Sequence, residues 1–144
     1  MKNATGQEGT VLAFDYGTHR LGVAVGETVT GSARPLATLR CRDGTPRWEE
    51  VTELIRTWVP VRLVVGLPRR LDGSDSDLTR AAQRFANRLA GRYGLPVVTA
   101  EEQLTSVEAE GVLAGDGRRR KDKGEVDKLA AALILESHFA ERAS

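Results

Sequence analysis

The sequence has a single cysteine, Cys41, among its 144 residues. One thiol excludes an internal disulfide and any zinc site built from several cysteines. No apolar run approaches the roughly 18 residues that a membrane-spanning helix needs. The N-terminal segment MKNATGQEGT is polar and lacks the apolar core of a signal peptide. We therefore expect a cytoplasmic protein.

The sequence also lacks an excess of either charge, and it has few aromatic side chains. Lysine and arginine number 21 against 20 aspartate and glutamate, a net charge of +1. Any binding to nucleic acid must therefore come from a local basic patch. Aromatic residues are only 5% of the chain, which does not favour base stacking as the main contact. The length fits one domain over 1–144, in which we expect a flexible N-terminus at 1–9 and a flexible basic loop at 115–124.

The hydrophobic pattern predicts an α/β fold of alternating strands and helices. Three strands separated by short turns favour an antiparallel meander, and the later strands alternate with helices, which favours right-handed parallel crossovers. The predicted elements are strands at 10–15, 21–26 and 33–39, a helix with Pro46 in its first turn and ended by Pro60, the buried strand VRLVVGLP, a helix with Asp77 as N-cap, the strand PVVTA, a helix with a capping box at Thr105 and Glu108, and a helix at 125–142. This order predicts a five-stranded mixed sheet, three antiparallel strands and then two parallel ones, with helices on both faces.

Acidic residues occupy three places that such a sheet can bring together. Asp15 ends the first strand, Glu101 and Glu102 follow the last one, and Asp127 lies in the first turn of the final helix. Each alone has a structural explanation as a turn cap, a solvated side chain or a partner of the helix dipole. Together, at the carboxyl ends of the strands, they predict a site for Mg²⁺, which prefers hard oxygen ligands. Two such ions can support phosphodiester cleavage by an activated water.

Several motifs occur in an order that resembles one known family. LAFDYGTHRLGVAVGE, TGSARPL, VVGLP, DG, RFANRL and DKGEVDKLAAALIL together look like the YqgF (RuvX) family, from about Val11 to Phe139. Its members are bacterial RNase H-like proteins described as Holliday junction resolvases and as nucleases that mature the 5′ end of pre-16S ribosomal RNA. The resemblance implies an RNase H-like sheet, a divalent metal (Mg²⁺ or Mn²⁺) and a nucleic-acid substrate.

The resemblance also implies which residues act. The catalytic, metal-binding acids would be Asp15 in FDYGT, Glu102 in EEQLTS and Asp127 in KGEVD. The family more often has an arginine where this chain has Gln103, which removes a cation able to steady a phosphate. This chain also has Arg69 and Arg70 after GLP, where neutral residues are commoner, so its substrate contacts can differ.

The basic candidates for nucleic-acid binding lie near these acids in sequence. They are Arg20, Arg69, Arg118, Arg119, Arg120, Lys121 and Lys123. The dense run at 118–123 has two interpretations, a solvated loop or a patch over the metal site with salt-sensitive phosphate contacts. Of the two histidines, we expect His19 to be exposed in a turn and His138 to be packed.

Three functions remain open from the sequence. The first is a metal-dependent endonuclease on structured nucleic acid, either a pre-16S rRNA nuclease or a four-way junction resolvase. The second is a module that binds RNA without cutting it. The third is an ATP-binding lobe, since DYGT also resembles the phosphate loop of the actin and Hsp70 superfamily, but 144 residues leave room for one lobe only. Expected partners are pre-16S rRNA or branched DNA and ribosomal assembly components, and the chain would be a monomer or weak homodimer with no membrane association.

Overall fold

A mixed sheet with helices on both faces forms the fold, as predicted. The computed structural model describes residues 8–102 and 123–143. Its elements are β1 Thr10–Tyr16, β2 Arg20–Glu27, β3 Ser32–Arg42, β4 Thr45–Pro46, α1 Trp48–Trp58, β5 Arg62–Pro68, α2 Asp77–Tyr93, β6 Val97–Glu102 and α3 Lys123–Ala143. No helix in these ranges is long and apolar enough to cross a membrane.

The central strand of the sheet is β1, and its neighbours determine where the strand ends meet. The strand order is β4-β3-β2-β1-β5-β6. The pairs from β4 to β1 are antiparallel, whereas β5 is parallel to both β1 and β6. The carboxyl ends of β1, β5 and β6 therefore lie at one edge of the sheet, together with the beginning of β2. We call this edge the carboxyl edge.

The two faces of the sheet carry separate cores because side chains alternate along each strand. On one face, Leu12 and Phe14 pack with α1 and α2, and Phe85 of α2 lies against the Phe14 and Trp48 rings. On the other face, Val11 and Ala13 pack against α3. The buried residues of α3 include Ala130, Ala131, Ala132 and Ile134.

Small residues on β2 let α3 approach the sheet closely. Gly22, Ala24 and Gly26 occupy alternate positions, and Ala24 belongs to the α3-side core. A side chain at Gly26 would meet the rings and methyl groups of Phe139 and Leu135. The glycines thus determine how near α3 comes to β2.

The sheet has a sixth strand that the sequence pattern did not predict. Thr45 and Pro46 pair with Arg42 and Cys41, because the chain turns tightly through Asp43 and Gly44, both at positive φ. The placement of Pro46 in the first turn of a helix is therefore wrong: Pro46 belongs to β4, and α1 begins at Trp48.

Three other boundaries also differ from the predictions. The N-cap of α2 is Ser76 rather than Asp77, because the Ser76 hydroxyl accepts from the Thr79 amide and Thr79 bonds back in a capping box. Glu101 and Glu102 lie within β6 rather than after it, since both pair with β5. Residues 123 and 124, predicted as loop, begin α3. The predicted capping box at Thr105 and the rest of the basic loop lie outside the described residues.

Candidate active site

Asp15 is a buried carboxylate at the carboxyl edge. It is 8% exposed and belongs to β1, where it is in register with Gly22 of β2. Alternation along β1 places it on the α3 side of the sheet, two residues after Ala13. Burial of an ionised carboxylate is costly unless opposite charge or hydrogen bonds compensate, so this position requires an electrostatic reason.

Asp127 reaches the same point of the sheet from α3. A Cβ atom at Gly22 would overlap the main-chain carbonyl of Asp127, so the second turn of α3, rather than the predicted first turn, lies directly on this glycine. Because Gly22 is the cross-strand partner of Asp15, Asp15 and Asp127 both neighbour this glycine at the carboxyl edge. The Asp127 side chain is 17% exposed. We call this pair the acidic pair.

Arg20 is the counter-ion of Asp127. Its Nε donates a hydrogen bond of 2.5 Å to Oδ2 of Asp127, across 107 residues of sequence. A hydrogen bond between ionised partners is short and strong. Arg20 begins β2, beside the turn that follows Asp15. Arg20 therefore lies beside the turn after Asp15, as the sequence predicts, and its guanidinium contacts the carboxylate of Asp127.

Cys41 lies close enough to Asp127 for the charge of Asp127 to affect its pKa, a proximity that no sequence pattern predicts. Burial, and secondarily the negative charge of Asp127, raise the pKa of the Cys41 thiol to about 11. The Cys41 amide also donates to the His19 carbonyl at 2.8 Å. Cys41 packs with the core on the α1 and α2 face of the sheet, so it lies near Asp127 but does not line the site. It is a neutral thiol at physiological pH.

The two adjacent glutamates of β6 occupy different positions. Glu101 forms an ion pair with Arg69, with 3.3 Å between Nε and a carboxylate oxygen, and Arg69 also pairs with Asp75. Arg69, a predicted phosphate contact, is thus held by two carboxylates. Glu102 is the last residue of β6, in register with Pro68 at the carboxyl edge, and its side chain lies outside the described part of the structure.

The remaining candidates are distributed as follows. Arg118, Arg119, Arg120 and Lys121 lie outside the described residues, and Lys123 begins α3 with its side chain undescribed. His19 is exposed, as expected. His138 is 3% exposed and accepts a hydrogen bond of 3.0 Å from Nε of Arg62. This confirms that His138 is packed, and it places this histidine at the start of β5, away from the acidic pair.

The donor chemistry of the acidic pair fits a hard divalent cation. Carboxylate oxygens are the ligands that Mg²⁺ prefers, and the ion commonly binds through one or two of them together with waters. Within residues 8–102 and 123–143, no group of three histidine, cysteine, aspartate or glutamate side chains is arranged to hold a metal. Asp15 and Asp127 would therefore offer such a cation two carboxylate donors.

Solved structures of similar fold are junction resolvases. RuvC of Thermus thermophilus in complex with a Holliday junction substrate has a TM-score of 0.51 and 20% identity, covering 94% of this chain and 96% of that chain. The Fowlpox virus resolvase in complex with Holliday junction DNA has a TM-score of 0.55 and 11% identity, covering 94% and 99%. At such identities these similarities concern the fold alone, which is the predicted RNase H-like one.

Relatives of known sequence are much closer. Proteins named "Putative pre-16S rRNA nuclease" are 50% identical over 131 residues in Edwardsiella ictaluri, covering 90% of this chain and 94% of that protein. In Shewanella denitrificans the identity is 48% over 131 residues, covering 90% and 93%. The family model RuvX, described as Holliday junction resolvase, matches residues 9–141. The chain therefore belongs to the RuvX family of nucleases.

Proposed function

We propose that this protein is a divalent-metal-dependent endonuclease that cleaves structured RNA and matures the 5′ end of pre-16S ribosomal RNA. Asp15, Glu102 and Asp127 are its metal-binding acids. The names of the close relatives support the substrate, and the family supports the nuclease chemistry. The reaction is hydrolysis of a phosphodiester bond.

The observation that carries this proposal is the acidic pair across Gly22. Two neighbouring carboxylates repel each other, and Arg20 forms an ion pair with Asp127. A module that merely bound RNA would gain nothing from negative charge facing the phosphates, since phosphate binding uses cations. A bound divalent cation would relieve this repulsion, and it supplies an activated water and a countercharge for the departing oxygen.

The chain's own residues position the cation and the substrate. The rigid centre of the sheet holds Asp15, and the contact of α3 with Gly22 fixes Asp127 beside it. Arg20 holds one oxygen of Asp127 and presents a positive charge at the point where a phosphate would approach. Its side chain is 39% exposed, so the guanidinium can also contact solvent-borne anions.

Cleavage of a four-way DNA junction is the second candidate, because the matching family model is described as Holliday junction resolvase. The same acidic pair serves either substrate, since both reactions hydrolyse a phosphodiester. The substrates therefore have to be compared directly.

The test measures cleavage of labelled pre-16S leader RNA and of a labelled four-way junction, each with Mg²⁺, Mn²⁺ or EDTA. We expect metal-dependent cleavage of the RNA that is lost in Asp15→Asn and in Asp127→Asn. Glu101→Gln is the matched control, because it removes a neighbouring carboxylate that pairs with Arg69. If the protein cleaves the junction in preference to the RNA, its substrate is four-way DNA and the proposed RNA substrate is wrong. Binding of both without cleavage in any metal would contradict the nuclease proposal.

A further inference from the structure

A second charged feature lies on the opposite face of the sheet, along α2. Its exposed side carries an arginine at every fourth position, namely Arg80, Arg84, Arg88 and Arg92. The only acidic residue of this helix is Asp77, at its beginning. We call these four residues the arginine track.

The arginine track is unfavourable for the helix itself. Arginines four residues apart are neighbours on a helix surface, and like charges at this spacing repel. The exposed polar residues between them, Gln83 and Asn87, are neutral and bond to each other at 3.1 Å. This side of α2 therefore offers no carboxylate, after Asp77, to offset the repulsion.

The two ends of the arginine track have partners, whereas its middle does not. Arg80 pairs with Asp77, and the Arg92 guanidinium lies 4.1 Å from the ring centroid of Trp48. Arg84 and Arg88 form no ion pair with any carboxylate of residues 8–102 and 123–143. Their charges are therefore available to an external anion.

Arg84 and Arg88 lie at the carboxyl edge. Both line a cavity of about 120 Å³ with Tyr16, the residue directly after Asp15. The one carboxylate in this cavity belongs to Asp43. Arg84 also lines a cavity of about 290 Å³ with Leu67, near the end of β5. These arginines thus begin where β1 and β5 end, on the face of the sheet opposite the acidic pair.

We infer that the arginine track binds the phosphate backbone of the nucleic-acid strand that passes over the carboxyl edge from the acidic pair. From Arg80 to Arg92 the helix rises about 18 Å, whereas phosphates of one duplex strand recur about every 3.4 Å along the axis, so several phosphates are within reach. Arginine also suits this role because its planar fork can bind a phosphate through two hydrogen bonds. That the bound strand is the substrate rests on the proposed function. The contact between the arginines and the phosphates can form without cleavage.

The test measures binding of fluorescein-labelled double-stranded RNA in EDTA, on the Asp15→Asn background so that no cleavage occurs. We expect Arg84→Gln/Arg88→Gln to weaken binding and to reduce the slope of log K against log salt by about 2, one for each lost phosphate contact. The matched control is Arg34→Gln/Arg142→Gln. It removes two exposed arginines, one on β3 and one near the end of α3, away from the arginine track, and should leave the slope unchanged.

Two results would overturn the inference. One is an unchanged salt slope in Arg84→Gln/Arg88→Gln with the fold intact by circular dichroism. The other is an equal reduction of the salt slope in the control, which would indicate that the RNA responds to the net charge of the protein rather than to Arg84 and Arg88. Because binding is measured without metal, a protein that binds through the arginine track but never cuts would contradict only the proposed function. A protein that cuts and yet binds independently of Arg84 and Arg88 would contradict only this inference.

Discussion

Gly22 and Asp127 are in direct main-chain contact, and no side chain fits between them. This contact joins β2 to the second turn of α3, and it places Asp127 near Asp15, the cross-strand partner of Gly22. The geometry of the acidic pair thus depends on a residue that has no functional group. A substitution at Gly22 can therefore alter the site without changing either carboxylate.

We predict that Gly22→Ala destabilises the protein and abolishes the arrangement of the acidic pair. The methyl group would overlap backbone atoms, which cannot rotate away as a flexible side chain could, so α3 must shift. Overpacking of this kind costs about 1–3 kcal/mol. Urea unfolding followed by circular dichroism measures the stability, and Mn²⁺ titration calorimetry measures the site. A variant as stable as the wild type, with unchanged Mn²⁺ affinity, would refute the contact.

The opposite effect is expected at Gly91, within α2. A Cβ atom there meets no atom within 4 Å, and the residue has ordinary helical φ. Alanine loses less conformational freedom than glycine in a helix, so Gly91→Ala should stabilise the protein by about 0.5–1 kcal/mol. The same urea unfolding experiment tests this. A lower stability would mean that position 91 is not an open helical site.

Sequence patterns predicted most of the sheet because period and turn signals are local. The run from Val11 to Phe14 and the buried strand before Pro68 appear where expected. The β4 strand was missed because two residues have no periodicity, and its position depends on the turn at Asp43 and Gly44. Whether Ser76 or Asp77 caps α2 depends on which side chain, the hydroxyl or the carboxylate, can accept from the Thr79 amide, and composition does not determine this.

The sequence predicts that Asp15 and Asp127 lie near each other, but it does not predict the contacts that each residue makes. The identities of Asp15 and Asp127 follow from strand ends and from the resemblance to a family. The ion pair of Arg20 with Asp127 joins residues 107 positions apart, and no local pattern contains it. The arginine track is visible in the sequence as arginines at four-residue spacing, but the exposure of all four depends on how α2 packs.

A pH-dependent stability is expected from His138. Burial, and secondarily the positive charges of Arg62 and Arg142, lower the pKa of His138 from its ordinary 6.5 to about 4. The unfolded chain therefore binds a proton below pH 6.5 that the folded protein accepts only near pH 4. The stabilisation is fully present above pH 6.5, and it is lost as the pH falls towards 4, by up to about 3 kcal/mol.

The measurement for His138 is urea unfolding at several pH values between 4 and 8. His138→Gln is the comparison, because the glutamine oxygen can still accept from Arg62 but does not titrate. We expect the variant to lose less stability than the wild type across this range. Parallel curves for the two proteins would show that His138 has an ordinary pKa in the fold.

Cys41 should react slowly with alkylating agents. Its pKa near 11 leaves little thiolate at pH 8, and the thiolate is the reactive form, so alkylation by iodoacetamide should be about a hundredfold slower than for a free cysteine. As the only cysteine, it can be followed by mass spectrometry of the whole protein. Unfolding in urea is the control and should restore the ordinary rate. Rapid reaction of the folded protein would contradict the burial of this thiol.

Removal of Arg20 should strengthen metal binding at the acidic pair. Arg20 forms an ion pair with Asp127. A divalent cation bound to Asp127 must therefore share that carboxylate with the guanidinium. Repulsion between the guanidinium and a cation several ångströms away, in a partly screened site, weakens the binding of that cation by roughly a factor of ten. Arg20→Gln should therefore bind Mn²⁺ about tenfold more tightly by calorimetry, with Arg56→Gln unchanged as the distant control. Weaker binding in Arg20→Gln would instead mean that the arginine is needed to hold Asp127 in place, and that its positioning role outweighs its repulsion.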